Sequence, residues 1–210
     1  MTVVLEGRAY SIWARLFQYD LEAFRRAYEA AREASDRSRT QLERNWAELE
    51  RDVAAGRKSF IEEDEEGRLI YDRGEHAGEM EAEIEGVLRI VREAFTISLH
   101  HFWERELTVR MRTARYKEAK AIEFLKGKGI NPNEAGLTVL RLAANVAKHS
   151  EGNSANQLHD LRPDLFDVRQ MSQYGDPPGY EYLRISDAIL DEFFATVQTS
   201  GPQQEGRRLK

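Results

Sequence analysis

With 210 residues, 32% of them charged and 41% hydrophobic, the chain is long enough for one well-buried domain and has the balance of a helical bundle with solvated outer faces. It contains no cysteine, which excludes disulfide scaffolds, thiolate metal sites and cysteine nucleophiles. Its net charge of −6 argues against a general affinity for nucleic acid, so any RNA contact needs a local basic surface.

No apolar run approaches the length of a membrane span, and the start MTVVLEGRAY lacks a basic-then-apolar leader pattern. A soluble, cytoplasmic protein is therefore expected. From Arg8 to Ala55 there is neither Gly nor Pro, which predicts one long helix or two nearly collinear ones. Ile12, Leu16, Tyr19, Ala23 and Ala27 form one apolar stripe. Leu42, Trp46, Leu49 and Val53 continue it after a polar gap at Ser35 to Thr40, where a break or kink is expected. The aromatics Trp13, Phe17, Tyr19, Phe24 and Tyr28 fall at helical spacing and read as core rather than as a cofactor box.

Gly56 closes this helix. SFIEED, the turn EEG and RLIYDR then read as a β-hairpin inserted over 56–76, with the acidic run Glu62 to Glu66 as its solvated tip. A two-stranded hairpin is marginal alone and must lean on the bundle or on a partner subunit. A second long helix, antiparallel to the first, is expected from about Ala77 to Leu125. Ile84, Leu88, Val91, Phe95 and Phe102 mark one stripe on it, and Leu99, Trp103, Leu107, Met111, Ala114 and Leu125 a neighbouring one. The apolar arc is widest at Leu99 to Trp103, where a crossing with another helix is expected. There HHFWER sets His101, Glu104 and Arg105 on one polar face, either a solvated ion-pair surface or part of a site. The helix is acidic early, with Glu75, Glu79, Glu81, Glu83 and Glu85. Between Arg105 and Lys128 it has eight Lys or Arg against three Glu, a gradient that complements the helix dipole or offers a phosphate surface.

Gly127, Gly129 and Asn131-Pro132 mark a loop. GKG follows a helix rather than a strand and is no phosphate loop. A short motif helix then starts at about Asn133. On it Arg141, Asn145 and His149 recur every four residues and form a narrow polar stripe opposite Leu140, Ala143 and Ala147. A mostly apolar helix is buried, and its polar stripe has to face hydrogen-bonding partners. His149 falls in the last turn, where the dipole favours a cation. Gly152 supplies the stop, and Ser154-x-x-Gln157 reads as a capping box opening a second short helix that ends before Pro163. Beyond Phe166 come a short segment to Tyr174, the breakers GDPPG and a strand in EYLRIS. Ser186 caps a last helix that buries Ile189, Leu190, Phe193, Phe194 and Val197. A single domain over 1–198 is expected, with 199–210 a disordered tail.

The stretch RLAANVAKHSEGNSANQLHDLRPDLF resembles the motif helix of the HEPN superfamily, all-helical domains many of which are metal-independent ribonucleases of toxin–antitoxin and phage-defence systems. The family signature is an Arg followed by a polar residue, usually Asn, a few further residues, and a His. Asn145 and His149 match it; Ala144 stands where the Arg would be, and the nearest Arg is Arg141, one turn earlier. The resemblance implies an all-α bundle, a homodimer and an RNA substrate. It also implies an antitoxin or defence-system partner protein, and a site without metal or cofactor in which an Arg holds the scissile phosphate and His149 handles the 2′-hydroxyl. Arg105 then supplies the cation that Ala144 cannot, and Glu104 orients an imidazole such as that of His149. The alternative is a non-catalytic HEPN-like interaction module in which His149 and Asn145 only fasten the corner of the helix. The five His carry no metal spacing, and no nucleophile elbow is present.

Overall fold

The computed structural model describes the backbone of residues 2–150 and 152–203, and the side chains of residues 12–150 and 152–203. It is an all-α protein with one small hairpin. The elements are α1 (Thr2–Ala54), β1 (Ile61–Glu63), β2 (Leu69–Asp72), α2 (Arg73–Met111), α3 (Glu118–Gly127), α4 (Glu134–His149), α5 (Asn153–Leu161), α6 (Val168–Tyr174) and α7 (Asp187–Ser200), with 3-10 turns at Pro163–Leu165 and Tyr180–Tyr182. None of the described helices is long and apolar enough to cross a membrane. The chain divides into two compact units, one of residues 1–28 with 92–210 and one of residues 29–91.

In the first unit α1 and α2 run antiparallel. Phe17 packs on Phe102 and Trp103, and Tyr28 on Phe95, with ring centroids 5.2, 6.3 and 5.4 Å apart. Of the two sets of residues expected in the core of α1, the aromatic one is buried and the stripe through Ile12 is not. Trp13, Phe17, Leu21 and Tyr28 are inside, while Ile12, Leu16 and Tyr19 remain 52, 44 and 64% exposed. Both stripes have helical spacing, and the bulkier aromatic one removes more apolar area from water, so it wins the core. α1 also carries no break at Ser35 to Thr40.

α2 is shorter than the expected helix. It stops at Met111, because Arg112 adopts a left-handed φ of 53°, and the chain restarts as α3 at Glu118. A non-glycine residue in that region costs roughly 1 kcal/mol, so the turn has to be held from outside. The Arg112 and Thr113 N–H groups donate to the Val109 and Thr108 carbonyls, both at 3.2 Å, and side chains brace the turn further. The Thr113 hydroxyl donates to the Arg115 carbonyl at 3.0 Å, and the Trp103 indole N–H donates to the Tyr116 hydroxyl at 3.2 Å.

α7 begins as expected, with the Ser186 hydroxyl accepting the Ile189 N–H at 3.3 Å. Its first residue, Asp187, accepts hydrogen bonds from Tyr28 and Arg92, both at 2.6 Å, which fastens the positive end of the helix dipole to α1 and α2. EYLRIS forms a 3-10 turn and a lone bridge, Phe166 to Leu183, in place of a strand. The disorder expected from Thr199 does not begin there: α7 continues to Ser200, Gly201 and Pro202 are buried, and Gln18 donates to the Pro202 carbonyl at 3.0 Å. Residues 204–210 lie outside the described residues. A Cβ on Gly201 would fall 2.1 Å from the Phe17 ring. Gly201→Ala is expected to destabilise the protein by about 1 to 3 kcal/mol, read as a lower urea midpoint at constant slope. A shift under about 0.5 kcal/mol would mean that this approach is not close-packed.

In the second unit the hairpin forms as expected. Gly67 has φ 75°, and the Asp64 carboxylate accepts the N–H groups of Glu66 and Arg68 at 3.0 and 2.8 Å. It leans on α1, where Phe60 stacks on Trp46 at 5.5 Å, and Arg73 pairs with Glu62.

Candidate functional site

α4 is built to be surrounded. The Asn133 side chain caps its first turn by accepting the Gly136 N–H at 3.0 Å, and the Asn133 N–H donates to Ser200 Oγ at 2.9 Å. Leu137, Leu140, Leu142, Ala143, Ala144 and Val146 are buried. Ala144 is 0% exposed. An Arg at that position would be driven into the core, so the signature cannot be completed there on this backbone. The residue that turns left-handed after α4 is Ser150, with φ 64°; Gly152 instead precedes α5, whose start has no side-chain cap, and Ser154 lies inside that helix.

The polar side of α4 meets α2. Lys148 Nζ lies 2.6 Å from His101 Nε2. An ammonium group only donates, so the imidazole accepts and carries its proton on Nδ1. Beside this pair is His100, 5% exposed, with a buried Nδ1 that has no hydrogen-bond partner. Glu104 Oε2 stands 3.7 Å from that nitrogen, beyond hydrogen-bond range. Burial pushes the His100 imidazole down to about 4, and the nearby cations Lys148 and Arg141 add to the effect. It is therefore neutral at physiological pH. Arg141 forms an ion pair with Glu118 of α3 at 2.9 Å. Tyr116 belongs to the same neighbourhood: burial raises its phenol to about 12, with Glu118 and Glu104 among the contributors.

The expected site residues thus separate. His101, Glu104 and Arg141 converge, joined by His100, Lys148 and Glu118, which sequence reading did not select. Arg105 is exposed, and its guanidinium lies 5.9 Å from the centre of the Phe102 ring, which packs on Phe17 and Phe24 of α1. His149 is exposed in the last turn and Asn145 is half-buried. The imidazole beside Glu104 is that of His100, not His149. One signal for Lys148 was available: seven residues from Arg141 is about 20° of drift around a helix, whereas His149, at eight, is about 80° away.

Two other concavities are less suited to an anion. An open cleft of about 740 Å³ between α3 and α4 is edged by Glu118, Glu123 and Glu134. In the second unit a cleft of about 390 Å³ includes Trp46, Tyr71, Lys58 and Arg73, but Lys58 pairs with Asp52 at 2.8 Å and Arg73 with Glu62. Among the described residues no group of three His, Asp or Glu side chains is placed to hold a metal ion. Compared with models of protein families, with curated proteins and with solved structures, the chain matches none.

Proposed function

We propose that this chain is a metal-independent endoribonuclease similar to the HEPN proteins of bacterial defence and toxin–antitoxin systems, acting on RNA as a homodimer with the α2–α4 seam as its site. The observation that supports this reading is the 2.6 Å contact of His101 with Lys148 beside Arg141 and Glu104. In 2′-hydroxyl attack the O2′–P bond forms, the P–O5′ bond breaks, a neutral imidazole takes the 2′-hydroxyl proton and an acid protonates O5′. A phosphate arriving at the seam draws Lys148 onto its oxygens and leaves His101 Nε2 free to accept that proton. The exposed stripe of Ile12, Leu16 and Tyr19 on α1 supports a second copy as its cover.

The test is cleavage of total cellular RNA in EDTA by wild-type protein beside His101→Ala, Lys148→Ala, Arg105→Ala and His149→Ala. Cutting is expected to fall about a hundredfold or more in the first two, and to survive in Arg105→Ala. Loss in His149→Ala with none in His101→Ala would move proton transfer to the end of α4. Folded wild-type protein that leaves the RNA intact would sink the nuclease reading.

The second reading is a non-catalytic HEPN-like interaction module. It is favoured by Ala144 in the core and by the pairing of Arg141 with Glu118, which leaves the phosphate clamp of the family without its Arg. It predicts no cutting and the capture of a specific partner protein through His149 and its exposed neighbours.

A further inference from the structure

The excess of cations after Arg105 has two readings in the sequence, compensation of a helix dipole or a phosphate surface, and the place of the α2–α3 turn separates them. Residues 110–120, RMRTARYKEAK, hold five Lys or Arg and one acid. Only Arg110 lies in the last turn of a helix, where the dipole favours a cation. Arg112 and Arg115 lie beyond the end of α2. Lys117 occupies the N-cap position of α3 without a capping hydrogen bond, and Lys120 falls in the first turn of that helix. The dipole is positive at that end, so both lysines stand where a capping side chain or an acid is favoured. All five cations are exposed, and none forms an ion pair among the described residues. The one acid of the stretch, Glu118, is taken up by α4, pairing with Arg141 at 2.9 Å and accepting the Thr138 hydroxyl at 3.4 Å. Arg112 is also held at a left-handed φ of 53°, where glycine would sit without strain.

We infer that the α2–α3 turn, through Arg110, Arg112, Arg115, Lys117 and Lys120, binds the sugar–phosphate backbone of RNA without reading its bases. Cations that gain nothing from the fold and repel one another gain from a polyanion, whose binding releases the counterions condensed on it. Three of the five are arginines, whose planar fork meets two phosphate oxygens at once. The Arg110 guanidinium is steadied by the Trp13 ring, 5.7 Å away. Other anionic partners fit less well. A lipid surface calls for several apolar anchors beside the cations, and Val109 is the only large apolar side chain exposed between residues 105 and 128. An acidic peptide calls for a packed apolar centre to its interface, and none of the five cations lines either cleft. Tyr116, the aromatic of the turn, is half-buried with its hydroxyl on the Trp103 indole, so no ring is offered for base stacking and contact is to the backbone. Such a surface serves a nuclease and a binding module alike. For a nuclease it delivers the strand, because Tyr116 and Glu118 of the same stretch adjoin the seam beside Arg141.

The probe is a labelled uridine oligonucleotide of about 20 residues, methylated at every 2′-hydroxyl, which keeps the backbone charge of RNA and cannot be cut by 2′-hydroxyl attack. Titrated with the full chain, its log affinity is expected to fall with log salt at a slope of about −3, the value for about four phosphate contacts on a single strand. That is a loss of about fiftyfold between about 50 and 200 mM salt. Two variants separate binding from folding. Arg112→Gly relieves the left-handed backbone and Lys117→Asp gives α3 a capping acid, so each is expected to keep or raise the urea midpoint while weakening the RNA. Combined, they should bring the slope to about −1.5 and lower affinity at about 50 mM salt at least about tenfold. No binding by the wild type, equal binding by the double variant, or loss in Lys148→Ala with none in the double variant each overturn the inference. Equal affinity for polyglutamate or for phosphatidylserine vesicles overturns the choice of RNA. The cleavage reading fails separately. Protein that leaves total RNA intact but binds the methylated strand through the turn removes the nuclease and keeps this surface. RNA cut and bound alike by wild type and double variant does the reverse.

Discussion

Trp103→Ala is expected to lower stability by about 3 to 5 kcal/mol, near the top of the range for a single core truncation. Trp103 is one of the largest fully buried side chains, and its ring meets Phe17 edge-on at 6.3 Å. Its loss leaves a cavity between α1 and α2 and also strips the Tyr116 hydroxyl of its 3.2 Å donor. That hydrogen bond is one of those holding the turn in which Arg112 is left-handed at φ 53°. Two signatures should therefore appear together: a large fall in the urea midpoint, and faster amide exchange confined to residues 112–117 under native conditions. Trp103→Phe should recover much of the packing but not the exchange protection. A loss of under about 1 kcal/mol for Trp103→Ala would show that this contact does not organise the core.

The second large effect is on acid stability. The His100 imidazole sits at about 4 in the folded chain against an ordinary value of 6.5. Above 6.5 both states are neutral there and the group adds no pH dependence. As pH falls from 6.5 toward 4 the unfolded chain takes up a proton that the folded chain refuses, so stability is lost across that window and levels off below it. The full loss from this one group is roughly 3 kcal/mol. His100→Leu, of similar volume and with no nitrogen to satisfy, is expected to be about as stable as wild type at pH 8, or more so. It should also lack this part of the acid slope. Urea unfolding of both proteins between about pH 8 and pH 4 measures the difference, and parallel curves would remove His100 as its source.

The helices were legible where local chemistry alone forms them. The absence of Gly and Pro from Arg8 to Ala55 announced α1. The turn at Gly67 announced the hairpin, and Ser186 announced the start of α7. Ser154 shows the limit even of local rules: the same hydroxyl that could cap a helix lies inside α5, because that helix starts at Asn153 with Gly152 in the cap position. Arg112 shows the opposite failure. No breaker marks that position, and its left-handed backbone persists because Thr113 and the distant Trp103 hold the loop after it.

The site was half legible for a related reason. HHFWER and the stripe beginning at Arg141 were visible as two polar faces, and their meeting was an inference from where the apolar arc widened. Which side chains met was not visible. His101 reaches Lys148 and Glu104 approaches His100, while Arg105 lies over Phe102 and His149 stays exposed. Likewise two apolar stripes competed on α1, and Trp13, Phe17 and Tyr28 took the interior from Ile12, Leu16 and Tyr19. By itself the sequence determined α1, the hairpin and the start of α7, since hydrogen bonds, caps and breakers act within a few residues along the chain. Only the tertiary structure decided which of two apolar stripes of α1 stays exposed, where α2 ends and which imidazole is buried. Those outcomes depend on how much area each packing removes from water and on charges that come together only once α2 and α4 are packed.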